Sequence, residues 1–264
     1  DSLMIFESHA HFDDSRFDVD RKEILGNIGK NGLDVVINVG ASMQMNERTM
    51  EIAHEFPRVY AAIGMHPSEL DSRRDDTMEW LQAQATDEKV VAIGEIGLDY
   101  YWVKEPDLRL EQKEWFRKQL ALARQMNLPV IIHSRDAAKD TLELMKEENA
   151  QEIPGVIHCY SYSVENALDY IQMGYYIGIG GVVTFNNAKT LKEVVKQIPL
   201  ERILVETDCP YMAPEPFRGK RNSSLYLPYI IEKIAQIKQI SPQEVEKVTR
   251  ENGYQLFSKI PYKE

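Results

Sequence analysis

The residues best suited to chemistry in this sequence are its histidines and two of its acids. His9 and His11 form a His-Ala-His triplet, while His66, His133 and His158 follow at wide intervals, each at the end of a short apolar run. Glu95 and Asp208 occupy matching places. Side chains of an extended segment alternate with a period of two, so both imidazoles of His9-Ala10-His11 point to one side and can grip a single ion. Buried imidazoles and carboxylates are costly unless paired or metal-bound. His9, His11, His133, His158, Glu95 and Asp208 therefore predict a divalent metal site. Four histidines with two carboxylates exceed what one four-coordinate ion needs while keeping an open position, which predicts two ions sharing a bridging carboxylate. Imidazole with carboxylate suits zinc, manganese, magnesium, cobalt or nickel without choosing among them. Such a pair lowers the pKa of bound water from about 16 towards about 7 and clamps attacking and leaving oxygens, which predicts hydrolysis, most naturally of a phosphoester. His54 falls within a helical pattern and reads as ordinary surface.

These residues need a frame that gathers them. Apolar runs at Leu3–Phe6, Leu33–Val39, Val59–Gly64, Val90–Glu95, Pro129–His133, Gly155–His158, Tyr175–Ile179 and Arg202–Glu206 read as strands buried on both faces of a parallel sheet. Helical patterns lie between them at Val19–Gly29, Met43–Phe56, Thr77–Ala85, Leu108–Met126, Ala137–Glu147, Val164–Met173 and Lys189–Ile198. Each strand-helix unit takes about 33 of the 264 residues, which fits a (β/α)8 TIM barrel as a single domain over residues 1–264. Ser241-Pro242-Gln243-Glu244 is a capping box that opens an additional C-terminal helix over Pro242–Phe257. In a parallel barrel the active site lies at the C-terminal ends of the strands. The five histidines outside the helical pattern, with Glu95 and Asp208, sit at or just past those ends. No GxGxxG or GxxxxGK[ST] is present, so nothing supports a nucleotide cradle.

Lys plus Arg number 31 against 42 Asp plus Glu, a formal charge of −11. That balance excludes a protein that coats nucleic acid or an anionic membrane, although not an enzyme that meets nucleic acid at one cleft. Two cysteines, Cys159 and Cys209, are too few for a disulfide framework and suggest a reduced, cytoplasmic setting. No apolar stretch is long enough to span a membrane, and the N-terminus lacks the pattern of a signal peptide. Met4 reads as a natural start, with Asp1-Ser2-Leu3 added before it.

The motifs around these residues are Ser8-His9-Ala10-His11, Gly64-Met65-His66-Pro67, Gly94-Glu95-Ile96-Gly97-Leu98-Asp99-Tyr100, His133-Ser134-Arg135-Asp136-Ala137, His158-Cys159-Tyr160-Ser161 and Glu206-Thr207-Asp208-Cys209-Pro210-Tyr211, with Arg218-Gly219-Lys220-Arg221-Asn222 beyond them. In these the chain resembles the TatD family of metal-dependent deoxyribonucleases, within the amidohydrolase-like barrels. The resemblance implies that His9 and His11 hold the first metal with Glu95 and Asp208. It implies that Glu95 bridges to a second metal completed by His133 and His158, that Asp208 orients or deprotonates the attacking water, and that His66 lies beside the scissile phosphate. Related barrels often bridge their metals with a modified lysine, and Glu95 in that place favours the nuclease branch. The chain departs from the family where Glu7 stands for the usual Asp, and where Ser223-Ser224 stands for Glu-Pro. Those serines read as a cap for the next helix.

Arg135, two residues after His133, and the basic loop Arg218, Lys220 and Arg221 are candidate phosphate contacts. Tyr100-Tyr101-Trp102 either stacks an unpaired base or covers the barrel rim. Cys159 and Cys209 each follow a candidate ligand, and alternation turns them away from the lumen. The expectation is a phosphodiesterase acting on DNA as a transient substrate, from an end of a single or frayed strand, with no membrane or obligate protein partner. Its rivals are an amidohydrolase acting on a small amide, ester or lactone with the same metals, and a non-catalytic metal or nucleic-acid binder.

Overall fold

A computed structural model describes residues 3–262, so Asp1 and Ser2 of the segment before Met4 lie outside the described residues. The strands are β1 (Ile5–Ala10), β2 (Leu33–Val39), β3 (Val59–Ile63), β4 (Val90–Asp99), β5 (Val130–Arg135), β6 (Gly155–Ile157), β7 (Tyr176–Ile179) and β8 (Ile203–Val205). They pair in parallel and in chain order, and the sheet curls into a barrel. A bridge between Ala10 and Cys209 closes it. At that seam the His11 N–H donates to the Cys209 carbonyl and the Asp208 N–H to the His9 carbonyl, both at 2.9 Å. Closure thus passes through the residues flanking the candidate ligands.

Around the barrel run α1 (Arg21–Gly26), α2 (Met43–Glu55), α3 (Thr77–Gln84), α4 (Pro106–Met126), α5 (Ala138–Glu147), α6 (Val164–Gln172), α7 (Lys189–Gln197) and α8 (Leu227–Lys238). The helix after β8, which the periodicity did not bound, is α8; Ser223 caps the short turn leading into it by accepting from the Leu225 N–H. The final helix is α9 (Pro242–Leu256), and the Ser241 side chain caps it as the capping box predicts. Tyr254, Leu256 and Phe257 join Phe6, Val35, Ile37, Ile131 and Val156 in one buried cluster, so α9 plugs the barrel at the strands' N-terminal end. A larger cluster fills the space between sheet and helices. No helix among the described residues is long and apolar enough to cross a membrane.

The strand limits differ most from the apolar runs at the C-terminal ends of β1 and β4. β1 extends to Ala10, β4 to Asp99 and β5 to Arg135, taking in Glu7, His9 and Asp99 beyond the runs. These polar residues are strand positions that hydrophobicity cannot mark, because polar partners hold them. α1 is shorter than its pattern, since Val19 is 90% exposed and buries nothing.

Candidate metal centre at the strand ends

The barrel mouth opens into a cavity of about 890 Å³, within the range of small-molecule sites. At its floor the six expected ligands converge. Glu95 Oε2 lies 3.3 Å from His9 Nε2 and 3.9 Å from His11 Nε2, while Oε1 lies 3.0 Å from His133 Nδ1 and 3.4 Å from His158 Nε2. Asp208 Oδ1 lies 3.0 Å from His11 Nε2, 3.5 Å from His9 Nε2 and 3.7 Å from His158 Nε2. Atoms bound about 2.1 Å from one tetrahedral ion are separated by about 3.4 Å, so this spacing fits a metal centre. His9 supplies the decisive test of fit: its ring is 1% exposed, and neither Nδ1 nor Nε2 has a hydrogen-bond partner. Two orphaned nitrogens in a buried ring are a cost that ion binding removes.

The other three ligand candidates are each anchored by one ring nitrogen. His11 Nδ1 donates to the Val39 carbonyl at 2.8 Å, His158 Nδ1 to Glu206 Oε2 at 2.9 Å, and His133 Nε2 to Asp99 Oδ2 at 2.9 Å. Each anchor orients its ring and leaves the opposite nitrogen toward Glu95 or Asp208, the arrangement found behind metal-bound imidazoles. Burial lowers the His11 pKa, but the Asp208 hydrogen bond and charge lift it to about 9. Burial likewise opposes the charge on His158, which Glu206, Glu95 and Asp208 lift to about 10. A divalent ion would therefore displace protons from these rings, so its binding releases acid.

His66 differs. The Ser68 N–H donates to its Nδ1 at 3.0 Å, so in the neutral ring Nε2 carries the proton. Burial, and then the neighbouring His133, lower its pKa to about 3, keeping it neutral. His66 lies close enough to Asp99 and His133 to form a ligand triad; its ring lines the cavity, with Nε2 3.7 Å from Glu95 Oε1.

Several supports went unmarked as functional in the sequence. Glu206 accepts from the Cys159 N–H as well as from His158, and Gly178 makes room for it: a Cβ there would stand 2.7 Å from Glu206 Oε2. Gly97, at φ +148°, lets β4 run against β5, where a Cβ would strike the His133 carbonyl. Gln112 and Gln119 of α4 are buried and brace the backbones of Asp99 and Met65. Glu7 is buried and accepts from the N–H groups of His9 and Thr207 and the hydroxyls of Thr207 and Ser224. Burial pushes its carboxyl up to about 7 against those four hydrogen bonds. Glu206→Gln removes the charge behind His158 while keeping its shape. Metal affinity, measured by competition with a chromophoric chelator, is expected to fall roughly 10- to 100-fold.

The expected substrate contacts divide. Arg135 and Trp102 line the cavity with His66. Tyr100 does not: its hydroxyl donates to Asp140 at 2.6 Å under the Arg109 guanidinium, a structural role. Arg221 is likewise committed elsewhere, with two 2.7 Å hydrogen bonds to Asp20 and its guanidinium over the Phe17 ring. Arg218 lies on the Phe185 ring. Cys209 is buried as expected, but Cys159 lines the cavity. Its φ of +50° breaks the strand alternation that would have turned it away.

Comparison with known proteins bears on this centre. The family model for TatD related DNase matches residues 6–258. The chain is 44% identical over 255 residues to the uncharacterized metal-dependent hydrolase YabD of Bacillus subtilis, covering 96% of this chain and 99% of that protein. It is 34% identical over 258 residues to the uncharacterized metal-dependent hydrolase YcfH of Escherichia coli K12, covering 97% and 96%. Among solved structures, the TatD homologue YjjV of Escherichia coli K12 superposes with a TM-score of 0.89 at 30% identity, covering 97% of this chain and 98% of that one.

Proposed function

The chain belongs to the TatD related DNase family and is a metal-dependent hydrolase; from that premise we propose that it removes nucleotides from an end of single-stranded or frayed DNA by hydrolysing phosphodiester bonds. The observation that carries this reading is the convergence of His9, His11, His133 and His158 on Glu95 and Asp208 beneath one cavity that Arg135 also lines. We assign His9, His11, Glu95 and Asp208 to one divalent ion, with Glu95 shared by a second that His133 and His158 complete. Bound there, two such ions would supply a nucleophilic hydroxide near neutral pH and offset charge on the phosphoryl oxygens.

The chain's own groups do the rest. Asp208 lines the cavity and accepts the proton of the attacking water, which it can return to the departing oxygen. The His66 Nε2–H donates to a non-bridging phosphoryl oxygen without carrying charge of its own. Arg135 offers a planar pair of donors suited to a phosphate. With a formal charge of −11, attraction for the polyanion is confined to this mouth, which suits transient binding and release. The two free cysteines suit a reducing, cytoplasmic setting.

The cavity volume also admits a small amide, ester or lactone, so the test must carry both substrate classes. Metal-reconstituted protein is expected to shorten end-labelled single-stranded DNA stepwise and to leave a panel of esters, amides and lactones nearly untouched. Turnover of one of those compounds without DNA cleavage would replace the nuclease reading with the amidohydrolase one. Salt-sensitive DNA binding with no turnover of either class would replace it with a binder.

A further inference from the structure

Beyond the strand end of β4 the chain makes a turn whose two aromatic side chains face outward. Tyr101 is 43% exposed and Trp102 66%, and their rings meet edge to face at 4.8 Å. Two large exposed aromatics side by side form an apolar patch that a partner can cover. Trp102 lines the same cavity as Glu95 and His133, which places its ring at the mouth of the metal centre. The turn is built, not loose: Asp99 Oδ1 accepts the N–H groups of both Tyr101 and Trp102 at 3.0 Å. The other oxygen of the same carboxylate holds His133 Nε2, so the aromatic turn and a candidate metal ligand are set by one side chain.

Arg135, paired with Asp99 across β4 and β5, lays its guanidinium 3.8 Å above the Tyr101 ring and 5.8 Å from that of Trp102. The Lys104 ammonium lies 5.7 Å from the Tyr101 ring. In a strongly acidic chain, two cations gathered beside two exposed aromatic rings match a ligand that is both planar and anionic. A nucleotide in an unpaired strand has that combination, with a base for the aromatic face and a phosphate for the guanidinium. Stacking of this kind tolerates every base, because each has a π-face.

We propose that Trp102 is the stacking surface for an unpaired nucleobase next to the scissile phosphodiester, while Arg135, held on Tyr101, contacts the backbone beside that base. The proposal rests on the phosphodiesterase reading and gives it a recognition element: the enzyme would take strands whose terminal bases are free to stack. Asp99 is a positioning residue that keeps this platform in register with His133.

The test uses oligothymidylates ending either in thymidine or in 5,6-dihydrothymidine, whose saturated ring keeps the hydrogen-bonding edge and loses the aromatic face. Wild-type protein is expected to show a KM about ten-fold higher for the dihydrothymidine end, with kcat nearly unchanged. W102A should raise KM for the thymidine end by a similar factor and no longer distinguish the two ends, while W102F recovers most of the discrimination. Equal KM values for both ends in the wild type, or W102A discriminating as the wild type does, would overturn the proposal. A second readout is independent of turnover: oligothymidylate should quench tryptophan emission in the wild type and not in W102F. If the wild type cuts no DNA, the phosphodiesterase reading fails by itself. The platform then stands on that quenching, and its absence overturns the platform as well.

Discussion

Glu95→Gln is expected to lower hydrolytic turnover on the order of 10³-fold or more, the scale seen when a group acting directly at a reacting centre is removed. The substitution keeps the side chain's size, so the barrel should fold and the loss should be chemical. Glu95 faces five imidazoles: those of His9, His11, His133 and His158, and His66 Nε2 at 3.7 Å. Burial alone would raise its pKa, but the charge of His158 and the hydrogen bond to His133 hold it well below the usual carboxylate range. It is therefore an anion at any working pH, and no other carboxylate reaches all four candidate histidine ligands among the described contacts. A neutral amide lacks the negative charge with which Glu95 would hold the proposed metal centre. Steady-state kcat, read beside bound metal by elemental analysis, checks the expectation. Turnover within ten-fold of wild type would remove Glu95 from the centre of the mechanism.

The six candidate ligands were legible in the sequence because residue type and strand period act together: His9-Ala10-His11 is a chemical pattern and a geometric one. The same period could have found Glu206, two residues before Asp208, and it points to Asp99, four residues beyond Glu95. Both sit behind histidines, on His158 and His133, and acids in that role resemble surface acids until the fold places them. The strands were recognisable wherever packing alone fixes them, as in β2, and poorly bounded where they enter the polar centre. Arg221 and Tyr100 illustrate the opposite error. A charge or an aromatic ring near a motif looks available, yet Asp20 and Asp140 are distant in sequence and claim them first. Glu7 and Ser224 look unrelated in the sequence, but they meet in space. Ser224 donates to Glu7 at 2.7 Å, so the acid at position 7 has a hydroxyl partner in the segment after Arg221-Asn222. That contact spans 217 positions of sequence, and no local spacing could reveal it.

Metal binding should also raise thermal stability, and His9 gives the effect a signature. At a metal concentration about 1,000 times the dissociation constant, one site contributes about 4 kcal/mol to folding. For a domain of this size each kcal/mol moves the midpoint by roughly 2–4 °C, so the loaded protein should melt about 10 °C above the chelated one. Burial and the neighbouring His158 lower the His9 pKa, so in the chelated protein His9 is a neutral ring whose N–H and lone pair both lack partners. Its stacking on His158, at 3.4 Å between centroids, fills space without satisfying either nitrogen. His9→Leu replaces those orphaned polar atoms by an apolar side chain. The substitution is therefore expected to leave the chelated protein as stable as wild type, or more so, while removing most of the metal-induced rise. A purely structural histidine would behave in the reverse way, with the chelated variant destabilised and the response to metal intact. Differential scanning calorimetry of both proteins, with excess chelator and with added zinc or manganese, separates the two. Parallel shifts in wild type and variant would show that His9 is no ligand.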